Sequence, residues 1–399
     1  MSLLVKRGDS PQDRFAAEIL EIFRADGRVA DAWYDRQQFA IAVRTADSAA
    51  VLVRLDEVYE EWGAADGVAR AEPLRQFVTS AVAPPSMPET WVDAGPLVRP
   101  ALCGITAALP PEPDPESGAL WRHAFPYLAE TVVLDLPGHP QVSVAQVNRW
   151  GVSAETVVMG AQRNLATRAI RPQQGGANVL RLVDDGTMHC VAQLTLDGWL
   201  AGFGPRLGGR PVAFAPDRST LLVAPDDPGL LASLFEMAEE EYGQSARPVS
   251  PMAYTVTNAG RVVPYAAPPG HPLHAAVGRA ERVLAAAEYG RQKRWLEDAG
   301  SPHRVGSMML SGRADATIFS VATVAKDSAT LLPKADYVAV ISDDGDMFFV
   351  AWESAEQILG LKPEANLEPP RFLADVCLPG GSQEALRAAA VNPSAARRR

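Results

Sequence analysis

Hydrophobic positions near the start of the chain recur at helical spacing, with Phe15, Ile19, Ile22 and Phe23 on one face. Ser10 is placed to cap the first turn, Pro11 suits the first helical position, and Gly27 marks the end. Phe39, Ile41 and Val43 alternate as a half-buried strand. Leu52, Leu55, Tyr59 and Trp62 then predict an amphipathic helix with Asp56, Glu57, Glu60 and Glu61 outside, and a further helix runs through Leu74, Phe77 and Val78. The order helix, strand, helix, helix describes a small α+β domain over residues 1–83. Pro84-Pro85 and Pro88 open a proline-rich linker and loop region, 84–118.

A second block begins near Trp91 and is interrupted by Pro110-Pro111-Glu112-Pro113-Asp114-Pro115, an acidic surface excursion that no helix or sheet interior accepts. Val132 to Leu136 resumes as a strand. A helix follows in which Ser153 caps, Glu155 favours the dipole, and Val158, Ala161, Leu165 and Ala169 form an apolar stripe. Val179–Val183 and Cys190–Leu196 flank Asp184-Asp185-Gly186 as a hairpin. Pro211–Phe214 and Leu221–Val223 are further strands. Asp227-Pro228 opens a helix through Leu231, Leu234, Phe235 and Ala238 to Tyr242, and Tyr254, Val256, the Asn258-Ala259-Gly260 turn and Val262-Val263 close the block.

Ala266-Ala267-Pro268-Pro269-Gly270 marks the next boundary, before a long helix at about 271–298 to whose buried face Val277, Leu284 and Trp295 contribute. Thr317–Val324, Tyr337–Ile341 and Met347–Trp352 are strands, the last two around Asp343-Asp344-Gly345. The shared outline with the earlier Asp-Asp-Gly segment is one turn type and does not establish a repeat. The fold class is therefore α+β, multi-domain, with mixed or antiparallel sheets and packed helices. Its expected units are 1–83, a central α+β domain at 119–267, a long helix with a β-hairpin unit at 268–390, and a disordered basic tail at 391–399.

Composition narrows the function classes. A chain of 399 residues supports two or three domains, and no run reaches the length of a membrane span. Met1 to Arg14 mixes charges without an apolar core, so no export signal is expected. Cys103, Cys190 and Cys377 form no CxxC, which points to a reducing cytoplasm. A net charge of −11 argues against nucleic-acid binding, and Arg291, Lys293 and Arg294 read as solvated charge on a helix.

The run Trp150-Gly151-Val152-Ser153-Ala154-Glu155, with Asn164-Leu165 on the helix that follows, resembles a landmark of the YtpQ-like family of bacterial proteins, a domain of unknown function. From about residue 13 to 267 the order of segments is similar to that family: Asp35-Arg36-Gln37-Gln38-Phe39, Arg44-Thr45-Ala46-Asp47, Tyr59-Glu60-Glu61-Trp62, Val98-Arg99-Pro100, Leu134-Asp135-Leu136, Leu221-Leu222-Val223-Ala224 and Pro248-Val249-Ser250-Pro251. The region after His271 is additional. The resemblance implies a soluble bacterial α+β protein and supplies no catalytic residues.

Candidate chemistry is sparse. Arg163 and Asn164 lie off the apolar stripe of their helix, where they either hold an anionic ligand or face water. Arg206 and Arg210 sit in Gly202–Arg210, a glycine-rich segment able to admit an anion but read as a flexible surface loop, since Pro205 removes an amide and a strand follows. His271 and His274 are spaced to share a metal, with Glu281 as a third ligand, although Pro272 explains the segment as a helix start. His189-Cys190 is no dyad, because strand neighbours face apart. The reading is a non-catalytic cytoplasmic protein without a cofactor. It acts by binding a protein partner or a small ligand at the interface of its α+β domains, and it has no nucleic-acid or membrane role. The alternative is a metal-assisted hydrolase or an anion-binding enzyme.

Overall fold

The computed structural model describes residues 10–36, 38–45, 50–55, 58–59, 63, 67–83, 86–109, 118–136, 138–170, 179–183, 189–245, 247–313, 317–324, 328–341, 346–374 and 382–393. The architecture is α+β, with several antiparallel and mixed sheets covered by helices. The acidic loop at 110–115, the two Asp-Asp-Gly turns, Cys377 and the last six residues lie outside the described residues.

Helix α1 (Pro11–Ala25) starts with a complete capping box: Ser10 Oγ accepts from the Asp13 amide, and Asp13 accepts from the Ser10 amide. Its face of Phe15, Ile19 and Phe23 packs on a three-stranded antiparallel sheet of β1 (Val29–Asp35), β2 (Ala40–Thr45) and β3 (Val51–Arg54), with Leu74 of α2 (Gly67–Val82) closing the core. Two of these strands correct the sequence reading: β1 is an additional strand, and β3 stands where a helix is expected. Residues 51–54 pair with β2 in register, Val43 opposite Val51 and Ala40 opposite Arg54, where helix was expected to begin. Val51 and Leu52 are 58% and 43% exposed, so they form no buried helical stripe; the β-branched run serves as a sheet edge.

The segment expected as linker carries β4 (Val98–Gly104), fully paired with β6 (Leu128–Leu134), which also pairs with β5 (Trp121–Phe125). Every residue of β6 is buried. The landmark run is a corner between two helices. α3 (Val144–Trp150) ends at Gly151, whose φ of 68° is the left-handed conformation that favours glycine. Ser153 then caps α4 (Ala154–Thr167), whose buried face is Val157, Ala161 and Leu165; Ala169 lies past its end. Trp150 is anchored by its indole N–H, which donates to the Pro88 carbonyl at 2.8 Å.

The next sheet is antiparallel throughout, in the order β11-β10-β8-β9-β7, from β7 (Leu180–Val183), β8 (Pro211–Asp217), β9 (Thr220–Pro225), β10 (Pro248–Val256) and β11 (Val262–Pro264). Here β7 pairs with β9, and Val191–Thr195 forms a buried 3-10 helix where a partner strand was expected. The apolar run is equally compatible with either, and packing against Leu165 favours the helical turn. α5 (Pro228–Gln244) is capped by Asp227 and buries Leu231, Leu234, Phe235, Ala238 and Tyr242, the face read from the sequence.

Helix α6 (His274–Asp298) follows and buries Leu284, Glu288, Tyr289 and Gln292. Beyond it, β12 (Arg304–Val305), β13 (Met308–Gly312), β14 (Ile318–Thr323), β15 (Thr330–Pro333), β16 (Tyr337–Ile341), β17 (Met347–Ala351), β18 (Lys362–Pro363), β19 (Arg371–Ala374) and β20 (Ala390–Val391) build two mixed sheets, ordered β12-β15-β19-β18 and β13-β14-β16-β17-β20. α7 (Trp352–Leu359) and α8 (Ser382–Ala388) close their core. β16 and β17 form the expected antiparallel pair, whereas β14 and β16 run parallel. No described helix is long and apolar enough to cross a membrane.

Candidate functional site

A cleft of about 580 Å³ opens between α6 and the sheet that contains β13, β14, β16, β17 and β20. Its floor is an ion pair. Arg282 projects from α6 and meets Asp336, which lies in the corner between β15 and β16, through two parallel bonds of 2.7 Å from Nε and Nη2. The third guanidinium nitrogen donates to the Gly278 carbonyl at 2.7 Å. Asp336 also accepts from the Ser320 amide at 2.7 Å and the Ser320 hydroxyl at 2.9 Å, while its own amide donates back to that hydroxyl.

Burial pushes the Asp336 carboxyl up, but the bonds from Arg282 and Ser320 outweigh it and hold the group below the usual carboxylate range. Bonding to Asp336 raises Arg282 against its own burial penalty. Both groups are saturated, so they set the shape of the cleft more than they invite a ligand. Ser320 is committed in the same way and is not a poised nucleophile.

The rim is different. Lys334, next to the pair, and Glu281 and Glu353, from α6 and the first turn of α7, are exposed, and among the described residues their side chains make no ion pair. Aromatic side chains line the same cleft. Tyr127 occupies the β5–β6 turn at a φ of 63° and contacts Tyr289 edge-on at 6.2 Å; burial pushes its phenol up. Trp352 also lines the cleft, 2% exposed, and its indole N–H is buried without a hydrogen-bond partner among the described residues.

None of Arg163, Asn164, Arg206 and Arg210 lines this cleft. Asn164 donates from Nδ2 to the carbonyls of Gly95 at 2.8 Å and Val98 at 3.0 Å, which ties α4 to the start of β4; Arg163 beside it is exposed. The Gly202–Arg210 segment is ordered as a 3-10 helix (Leu200–Phe203) and a helical turn (Gly204–Leu207). Arg206 is half-buried there, while Arg210 pairs with Asp226 at 3.3 Å and lies over the Tyr265 ring, so its charge already has a partner. His271 accepts the Leu273 amide on Nδ1, and His274 Nδ1 bonds the Ala267 carbonyl at 2.8 Å; both fasten the start of α6. They belong to no group of three neighbouring metal-ligand side chains among the described residues, and Glu281 faces the cleft. Cys190 and Cys103 are buried beside the backbone carbonyls of Leu182 and Ala129, and burial raises the Cys103 thiol.

Comparison with family models, curated proteins and solved structures returned no match for this chain. What bears on function is the geometry of the cleft. Of its polar residues only Glu281 was singled out from the sequence; Arg282 and Asp336 stand 54 positions apart and carry no local motif.

Proposed function

We propose that this chain is a non-catalytic binding protein that takes a small zwitterionic molecule in the cleft between α6 and the C-terminal sheet. One observation carries the reading: the cleft that holds the hydrogen-bonded Arg282–Asp336 pair is also lined by exposed charges of both signs, Lys334, Glu281 and Glu353, and by aromatic side chains. Small-molecule sites combine this volume range with a few placed polar groups and aromatic walls, often where two units meet. Lys334 is suited to a ligand carboxylate or phosphate, and the two glutamates to its ammonium or guanidinium group. Cytoplasmic placement belongs to the same proposal, supported by two buried free thiols, Cys103 and Cys190. So does kinship with the YtpQ-like family, which rests on the ordered segments between residues 35 and 251.

The test is a thermal-shift screen of the full chain against small zwitterions, simple cations and simple anions. A ligand at a hundred times its Kd stabilises the folded state by about 2.7 kcal/mol. Zwitterions are expected to raise Tm in the wild type and in Arg163→Ala, and to lose the shift in Lys334→Ala and in Glu353→Gln. A panel without any shift, or a shift that survives both cleft substitutions, refutes the proposal.

A further inference from the structure

We infer that Asp135, His139 and His189 form a second site, a binding site for a divalent transition metal ion, with Zn²⁺ the ion best matched to the donors. It is independent of the cleft. Each of the three side chains offers a ligand atom, and these atoms all lie within 4.8 Å of one another. The set is two imidazoles and one carboxylate, the composition used by three-ligand zinc sites that keep a fourth position for water.

Two segments distant in sequence converge to make it: residues 135–139, and His189. Asp135 follows β6, where its amide donates to the Leu97 carbonyl at 2.8 Å. His139 sits in the turn after it, at a φ of 43° and following Gly138 at 78°; two successive left-handed residues reverse the chain. The His139 amide closes that turn on the Leu136 carbonyl at 2.9 Å. His189 is 5% exposed, just before the 3-10 helix Val191–Thr195, and its ring meets His139 edge-on with centroids 5.7 Å apart.

The carboxylate is oriented by two arginines. Arg99, buried on β4, reaches Asp135 Oδ2 at 3.1 Å, and Arg168 at the end of α4 reaches the same oxygen at 2.9 Å. Both arginines meet the same oxygen, Oδ2. Outer-sphere bonds of this kind fix the direction of a metal-binding carboxylate. Around a tetrahedral zinc ion with bonds of about 2.0–2.1 Å, neighbouring ligand atoms stand about 3.3 Å apart. Closing the site therefore needs side-chain adjustment of about 1.5 Å or less, within the reach of rotamer changes. Two imidazoles among the three donors favour a transition ion over Mg²⁺ or Ca²⁺, whose sites are built from oxygen.

The experiment uses the full chain purified without a histidine tag, stripped with chelator and titrated with Zn²⁺ alone; Co²⁺ provides a visible spectrum that reports coordination number. One equivalent of Zn²⁺ per chain and a four- or five-coordinate Co²⁺ spectrum are expected. His139→Ala, His189→Ala and Asp135→Asn should each weaken binding on the order of 100-fold or more, beyond the roughly 10- to 100-fold that loss of an outer-sphere partner costs. His271→Ala with His274→Ala should leave it unchanged. No stoichiometric Zn²⁺ in the wild type, wild-type affinity in the ligand variants, or loss of binding in the His271/His274 variant overturns the assignment. His139 is half-buried in a turn, so its variant, with a wild-type circular dichroism spectrum, decides the matter even where His189→Ala fails to fold.

Discussion

Gly104 is the position where a single methyl group tests the packing of α6 most directly. It ends β4 and precedes a short helical turn, Ile105–Ala108, at φ −58° and ψ 142°, a conformation alanine adopts freely. On backbone grounds alone Gly104→Ala should stabilise by about 0.4–1 kcal/mol, because alanine loses less chain entropy on folding. The surroundings reverse that sign. A Cβ there would overlap Oε1 of Glu288 and lie 2.8 Å from its Cδ.

Glu288 has no accessible surface. Its Oε2 accepts from the Thr106 amide at 2.9 Å and the Thr106 hydroxyl at 2.6 Å, while Oε1 takes the Arg291 guanidinium. Displacing the carboxylate breaks at least one bond to a charged group, each worth about 1.5–3 kcal/mol. The net expectation is a loss of roughly 1–2 kcal/mol. The assay is urea denaturation followed by tryptophan fluorescence. With several cores in one chain, the quantity compared is the shift in Cm at constant m. A second background sharpens the test: in Glu288→Ala the obstacle is gone, and Gly104→Ala should become neutral or stabilising. If it raises Cm in the wild type, or lowers it equally in both backgrounds, the carboxylate is not what keeps this position glycine.

Two further outcomes follow from the same geometry. Asn164→Ala removes two bonds to main-chain carbonyls and should cost about 1–3 kcal/mol at about 0.5–1.5 each, whereas exposed Arg163→Ala should stay within about 0.5 kcal/mol; equal effects in urea denaturation would contradict the structural role of Asn164. Asp336, held below its ordinary value in the folded state, contributes stability that is present above the unfolded carboxylate pKa of about 3.9 and lost as pH falls through the depressed folded value. Wild type should thus exceed Asp336→Asn in Tm at neutral pH and converge on it in strong acid, and a gap independent of pH would show that the charge is not responsible.

Sequence patterning was most legible where one element carries its own signals. Asp227-Pro228 and the helical repeat of Leu231, Leu234, Phe235, Ala238 and Tyr242 define α5 without help from the rest of the chain. The Asn258–Gly260 turn marks β10 and β11 in the same way, with Gly260 at a φ of 78°. Short apolar runs were not legible. Val51–Arg54 and Val191–Thr195 fit two periods over four or five residues, and only their partners, β2 in one case and Leu165 of α4 in the other, decide between strand and helical turn. β4 was hidden by its proximity to prolines, although Pro100 itself sits opposite Val132 in the ladder. Both candidate sites share a deeper obstacle. Arg282 meets Asp336, and Asp135 meets His189, across separations that no local motif spans.

Helix α6 explains why the cleft can be rigid although its walls come from opposite sides of a chain boundary. Towards the central unit, Arg279 pairs with Glu239 of α5 at 2.6 Å, and Glu288 holds the Thr106 turn. Towards the C-terminal sheets, Tyr289 donates to the Pro370 carbonyl at 2.9 Å and Gln292 to the Pro369 carbonyl at 2.8 Å. Arg371, fully buried, completes the joint by donating to Gln292 Oε1, to the carbonyls of Gly306 and Leu331, and to the Tyr289 carbonyl on α6. Burial lowers its guanidinium to about 10, and oxygen acceptors on three segments compensate the charge without a carboxylate. Buried polar networks that are fully satisfied favour one arrangement over its competitors, because each displaced member leaves a desolvated group behind. Arg282, one to two turns before Glu288 and Tyr289 on the same helix, inherits that fixed position. The ligand of the proposed site would then meet a floor set by the packing of the chain and would have to order only the exposed side chains at the rim, Lys334, Glu281 and Glu353.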